Sequence, residues 1–309
     1  MSPVIDVKKL SKLYPGKKPF LAVDAISFKL EEGEILGLLG PNGSGKTTTI
    51  QMLLGALTYT SGSISYFGKN FETHRSEVLQ DVAFASTYMS LPWNLSIDEN
   101  LKIFGRLYGL SPKETEKRAN PLLERFGILD KKKVWVSALS AGQVTRLMIV
   151  KAFFIHPKIA LLDEPTASLD PDISKEICNF LLEQREQTGV SILFSSHKME
   201  EVTALCDRAI FLKKGKIIAD DEPQKLALST SSFKMKLIVV DGMKRTQASA
   251  EKMGLKCAIE HRTAEISLQE KEIPAFLNAL SKADVDYSSI RIEEPSLEDY
   301  FLELARTNR

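Results

Sequence analysis

The sequence is poor in the features that mark several large protein classes. It has three cysteines, Cys178, Cys206 and Cys257, far apart and odd in number. They form neither a zinc-ligand spacing nor a disulfide framework, and a reducing cytosol fits them best. Net charge is almost nil: 41 Lys and Arg against 40 Asp and Glu leave +1. That balance excludes a polybasic chain held on nucleic acid or lipid by bulk charge, although a local basic patch is still open. No apolar run approaches the ~20 residues that cross a bilayer. The stretch 147–155 is short and is broken by Lys151. The first residues, MSPVIDVKKL, lack the apolar segment of a secretory signal. Internal repeats, low-complexity tracts and long heptad runs are missing too. What remains is a globular composition, 43% hydrophobic and 26% charged over 309 residues. That length suits about two domains of roughly 150 residues each.

Up to about residue 220, short β-rich runs alternate with helical stretches. The runs 35–39, 159–162 and 191–194 are apolar and end at polar residues. Buried parallel strands read this way, and α/β sheets place their sites just beyond such strand ends. Between about 88 and 135 the strand signal fades. Ser96 with Glu99, and Ser111 with Glu114, read as capping boxes. A helical subdomain over about 88–150 is therefore expected inside an α/β domain of residues 1–220. Residues 221–309 change character: strand 233–240, helix 246–253 ending at Gly254, strands 256–260 and 263–268, helix 271–282, strand 286–292. That β-α-β-β-α-β order predicts a small α+β domain of ferredoxin-like pattern. A last helix over 295–305 spaces Leu297, Tyr300, Phe301 and Leu304 along one face.

Three segments carry chemistry. Gly40-Pro-Asn-Gly-Ser-Gly45-Lys46-Thr47 matches the phosphate-binding P-loop. Its glycines let backbone N–H groups turn inward, and the helix that follows adds its positive end. Lys46 can reach the β/γ-phosphates, and the Thr47 hydroxyl can bind Mg²⁺. A random chain this long shows the pattern about once in a hundred tries, and here it also lies between an expected strand and an expected helix. Second, the apolar run from Ile159 ends in Asp163 and Glu164. Beside a P-loop, Asp163 is expected to serve the metal and Glu164 to polarise an attacking water. Third, Leu139-Ser140-Ala141-Gly142-Gln143 opens a helical run. Alone it reads as an ordinary N-cap.

Together and in this order, the three segments resemble the ATP-binding subunit of ABC transporters over about residues 3–220. The resemblance implies an ABC-type P-loop ATPase fold with ATP and Mg²⁺ as cofactors. It assigns ATP binding to Tyr14, stacked on adenine, and to Gly40, Pro41, Asn42, Gly43, Ser44, Gly45, Lys46, Thr47 and Thr48. Metal binding falls to Thr47 and Asp163, and catalysis to Glu164 and to His197 as the switch histidine. Leu139, Ser140, Ala141, Gly142 and Gln143 become the signature that acts across a dimer, and Ser168, Leu169 and Asp170 the D-loop.

The implied partners are a second ATPase subunit, identical or different, and integral membrane permease subunits, without nucleic acid. The implied location is cytoplasmic, peripheral on the membrane through the permease. Glu294-Pro-Ser-Leu-Glu-Asp-Tyr-Phe301 resembles the tail of ABC-2-type exporter ATPases, or is simply a Pro-started amphipathic helix. The alternatives are a non-transport ABC ATPase and an ATP-switched regulatory or assembly module with weak hydrolysis.

Two positions depart from the family pattern. Ala141 stands where glycine is usual, and Thr87 stands at the Q-loop position where glutamine is usual. Threonine is too short to reach the usual metal position directly. Tyr88, Met89, Leu91, Pro92 and Trp93 form an apolar cluster where the resemblance implies permease docking. Packing inside the helical lobe is the other reading.

Overall fold

The apolar runs become strands and the segments between them become helices. In chain order the first elements are β1 (Ile5–Tyr14), β2 (Phe20–Leu30), β3 (Ile35–Leu39), α1 (Lys46–Leu53), β4 (Ser61–Tyr66), β5 (Lys69–Asn70), α2 (Phe71–Leu79) and β6 (Val82–Ser86). Three helices follow, α3 (Ile97–Leu107), α4 (Pro112–Arg125) and α5 (Ala141–Phe153). Next come β7 (Ile159–Asp163), α6 (Pro171–Thr188), β8 (Ser191–Ser196), α7 (Met199–Leu205), β9 (Arg208–Lys213) and β10 (Lys216–Asp221). The chain continues with α8 (Pro223–Leu228), β11 (Phe233–Asp241), α9 (Met243–Lys252), β12 (Lys256–Glu260), β13 (Thr263–Leu268), α10 (Ile273–Lys282), β14 (Asp286–Glu293) and α11 (Leu297–Arg306). This computed structural model describes residues 3–86, 91–167, 169–229 and 233–306. Thr87, Tyr88, Met89 and Ser168 lie outside the described residues. Two compact units emerge, Met1–Glu222 and Pro223–Arg309.

The first unit is built on a six-stranded sheet of order β10-β9-β3-β8-β7-β6. All its neighbours are parallel except β9 and β10. Every residue of β3, β7 and β8 is buried, which explains their unbroken apolar runs. An antiparallel sheet, β2-β1-β4-β5, stands beside it. Ile5, Phe28 and Tyr66 from this sheet share one core with Leu36, Leu161 and Ile210 from the parallel sheet. Ile50 and Leu53 of α1 join that core, so the helix after the P-loop is fixed from below. Register does the rest: Leu39 pairs with Ser196, and Asp163 with Ser195. The ends of β3, β7 and β8 therefore meet at one edge of the sheet.

The helical lobe starts as expected at Ser96. Its hydroxyl accepts the Glu99 N–H at 3.2 Å, and the Glu99 carboxylate accepts the Ser96 N–H at 2.8 Å. At Ser111 only half of the expected box forms. Its hydroxyl accepts the Glu114 N–H at 3.1 Å, but the Glu114 carboxylate takes Arg118 Nε at 2.7 Å instead. The ion pair one turn on, at i+4, outcompetes the uncharged N–H.

The second unit carries the β-α-β-β-α-β order. Its sheet runs β12-β13-β11-β14, antiparallel throughout. Met235, Leu237, Ile266, Phe276 and Leu280 form its core. Helix α9 starts at Met243, earlier than expected, because Gly242 at φ +92° serves as its N-cap. No helix among the described residues is long and apolar enough to cross a membrane.

Candidate active site

Sharp backbone turns after β3 make a cradle. Gly40 lies at φ +146° and Gly45 at φ +111°, where L side chains are strained. A Cβ on Gly40 would come 2.3 Å from the Leu212 carbonyl oxygen, and one on Gly45 2.7 Å from that of Ala22. A pocket opens here, lined by residues 41–48, Phe20, Ala22 and Glu164. Ser44 Oγ is buried without a hydrogen-bond partner, an orphan that an anion's oxygen would satisfy. The Lys46 ammonium, 6% exposed, donates to the Gly40 carbonyl at 2.7 Å and lies 3.5 Å from Glu164 Oε1.

The acidic pair sits at the end of β7. Asp163 is 1% and Glu164 5% exposed. Ser195 Oγ, from the neighbouring strand, donates to Asp163 Oδ1 at 2.7 Å and accepts the Glu164 N–H at 2.9 Å. Burial pushes the Asp163 carboxyl above its ordinary range, while hydrogen bonds from Ser195 and Thr47 act the other way. Glu164 adopts φ +53°, a left-handed conformation that costs a non-glycine residue about 1–3 kcal/mol. Its N–H, held by Ser195, helps to fix it there. The turn sends the side chain toward the pocket, where Oε1 faces Lys46 and Oε2 lies 2.6 Å from His197 Nδ1. His197, half exposed, follows β8. Lys46, Thr47, Asp163, Glu164 and His197 are thus brought together.

Ser140 is the N-cap of α5 and forms a closed capping box with Gln143. The Gln143 N–H reaches Ser140 Oγ at 3.4 Å, and the Ser140 N–H reaches Gln143 Oε1 at 3.0 Å. Ser140 and Ala141 are exposed. A Cβ on Gly142 would lie 3.6 Å from Leu169 Cδ2, so 169 borders the signature segment. Asp170 is the N-cap of α6 without a side-chain hydrogen bond. Residues 139–143, 169 and 170 are not among those lining the P-loop pocket.

Tyr14 does not line the pocket; its ring receives Lys12 Nζ at 5.2 Å from the centroid. Its cross-strand partner Phe20 does line it, and is 57% exposed. Directly opposed residues share a face, so the two aromatics stand on one side of the hairpin. Sequence reading missed Phe20 and Ser195. In the lobe, Leu91 is buried while Trp93 is 69% exposed, so Trp93 is not core. No group of three or more His, Cys, Asp or Glu that could hold a metal occurs among the described residues.

Comparison with known proteins places these features. The ABC transporter family matches residues 23–167. The linearmycin resistance ATP-binding protein of Bacillus subtilis is 31% identical, over 97% of this chain and 98% of its own length. A Nod factor export ATP-binding protein of Burkholderia lata is 36% identical over 72% of each chain. A solved ATP-binding subunit of an ABC transporter superposes with a TM-score of 0.67 at 28% identity, covering 73% of this chain and 92% of the other.

Proposed function

The chain belongs to the ABC transporter ATP-binding family as an ATPase subunit, and on that footing we propose that it powers an exporter, paired with a second ATPase subunit on an integral membrane permease. A relative named for Nod factor export supports the outward direction. The observation that carries the site assignment is the contact of the buried Lys46 and the half-exposed His197 with one buried carboxylate, Glu164, at the sheet edge.

In this reading the phosphates of ATP lie on 40–48, with Lys46 as counter-charge. Glu164 accepts a proton from the attacking water, and His197 holds the carboxylate in position and meets the γ-phosphate. Thr47 and Asp163 offer oxygen donors alone, too few for an all-protein cage, which suits Mg²⁺ shared with phosphates. When bound, Mg²⁺ neutralises charge on the β- and γ-oxygens. Tyr14 and Phe20 offer one aromatic face to adenine. Ser140 and Gly142 of one subunit, with residues 168–170, close the site of the other and exclude bulk water. The exposed Trp93 is available to a permease, and Trp93→Ala should weaken co-purification with it while ATP affinity holds.

The test is Glu164→Gln. ATP binding should persist and hydrolysis should fall by at least about 100-fold. The variant should accumulate as a dimer in ATP and Mg²⁺ on size exclusion. Hydrolysis at the parental rate would remove Glu164 from the mechanism.

A further inference from the structure

A second cluster of polar groups joins the two segments that carry Glu164 and His197. Glu201 of α7, with an 11% exposed side chain, accepts from Thr166 Oγ1 at 2.5 Å and from Ser196 Oγ at 3.2 Å. Its other oxygen lies 3.1 Å from Lys198 Nζ. Lys198 donates to the Thr166 carbonyl at 2.9 Å and to Ser174 Oγ at 3.3 Å, and its N–H donates to Ser196 Oγ at 3.0 Å. The Thr166 carbonyl also accepts the Leu169 N–H at 3.3 Å. Thr166 and Ser196 are each 1% exposed.

Placement gives this cluster its meaning. Thr166 lies two residues beyond Glu164, on the way to Leu169 and Asp170. Ser196 and Lys198 flank His197. One carboxylate and one ammonium therefore bridge the turn leaving the acidic pair to the turn bearing the histidine. His197 needs such support, because its side chain is 53% exposed and lies just beyond β8. A half-exposed ring keeps one geometry only if its backbone is fixed, and a reacting group must be held to about 0.5 Å.

We propose that Glu201 is a positioning residue for ATP hydrolysis: with Lys198 it locks the 196–198 turn onto the 164–167 turn and so holds His197 against Glu164. This rests on the roles proposed above for those two residues. The same bridge ties Leu169, which borders Gly142, to the histidine turn. With the Lys198 side chain 33% exposed, the ion pair by itself adds little stability. The hydrogen bonds that join it to Thr166 and Ser196, both buried, instead specify one geometry.

The experiment uses the full chain and four variants: Glu201→Ala, Glu201→Gln, His197→Ala and the double alanine. Glu201→Ala should lower kcat about 10–100-fold while KM and the directly measured ATP affinity stay within about threefold. Glu201→Gln, which can still accept from Thr166 and Ser196, should recover most of that loss. In the His197→Ala background, Glu201→Ala should cost less than about threefold more. A folded Glu201→Ala with parental kcat, or a cost in the double variant that multiplies in full, overturns the proposal. If Glu201→Ala does not fold, Thr166→Val removes one donor to the same carboxylate; a kcat loss of about fivefold supports the bridge, and none overturns it. An inactive His197→Ala beside a fully active Glu201→Ala overturns the bridge alone. A His197→Ala with parental kcat overturns the histidine's role and the bridge with it.

Discussion

The two units place their charges differently. Among the described residues the charged residues no more than 8% exposed are Lys46, Asp98, Asp163 and Glu164, all in the first unit. Three of them meet where β3 and β7 end. The second unit pairs charges on an accessible sheet face. Lys236 and Glu293 pair across β11 and β14 at 2.8 Å, each more than a third exposed, and the ammonium holds the Glu293 carboxyl below its ordinary range. Such surface pairs contribute little to stability. Thr246, the buried polar side chain of that unit among the described residues, is satisfied by the Gly242 carbonyl. A chain that bears the cost of buried charge in one unit and avoids it in the other has put its chemistry in the first.

The strongest way to break this contrast is to remove a charge from each unit. Lys46→Ala strips the counter-charge from the phosphate cradle and leaves Glu164 buried without it. ATP affinity, measured by calorimetry, should fall at least about 100-fold. Lys236→Ala should leave it unchanged. Equal losses would mean that the second unit takes part in nucleotide binding.

A core deletion in the second unit is comparable in size. Phe276 is fully buried there, and Phe276→Ala should cost about 3–5 kcal/mol. The loss should show in chemical denaturation of that unit, while ATP affinity stays within about threefold. A parallel loss of ATP affinity would mean that the units do not fold independently.

How much of this was legible depends on whether a signal is local in the chain. The P-loop could be read because its glycines, its lysine and the flanking apolar runs are contiguous. Asp163 and Glu164 could be read because a fully buried strand ends on them. Ser195 could not. Its importance comes from register, opposite Asp163 on the next strand, and a serine just past the apolar run 191–194 carries no mark of which strand it faces. Phe20 was hidden in a similar way, since the β1–β2 pairing contains register shifts that spacing alone does not reveal. Glu201 reads as one more acidic residue of a helix; only the fold brings Thr166 to it. Helix α8 is too short to show a period, and the start of α9 is hidden because a left-handed glycine, not a side-chain acceptor, precedes it.

The hairpin aromatics give a smaller effect that refines the nucleotide end of the contrast. Phe20 lines the pocket and Tyr14 does not. Phe20→Ala should weaken ATP binding about tenfold, in line with the loss of one stacked base. Tyr14→Ala should cost less. Titrations of both variants with ATP and with inorganic triphosphate separate base stacking from phosphate binding. A larger loss for Tyr14→Ala would put the base on the tyrosine.

The last expected effect concerns a charge that serves no chemistry. Lys151 of α5 lies with Nζ 4.9 Å from the Phe104 ring centroid. Burial pushes its ammonium down to about 8, and no carboxylate offsets that shift. An unfolded lysine titrates near about 10.4. Below pH 8 both states hold the proton, and the folded state carries the full cost of the buried charge. As pH rises from about 8 to 10.4 the folded chain releases its proton first, so the unfolded chain binds more protons and stability rises. Above that range both forms are neutral and the cost is gone. Lys151→Met keeps the length and removes the charge. It should stabilise the first unit by about 1–2 kcal/mol at pH 7, a fraction of the shift because the ring returns part of the cost. That advantage should shrink through pH 9 and vanish near 10.4. Lys236 should behave in the opposite sense. Its hydrogen bond to Glu293 raises its pKa, so what it adds to stability is present below the unfolded pKa and is lost as pH rises through the folded one. Denaturation midpoints of Lys151→Met and Lys236→Met across this range test the contrast directly. A Lys151→Met advantage that does not change with pH would mean that the substitution acts through packing, and that the first unit buries this lysine without electrostatic cost.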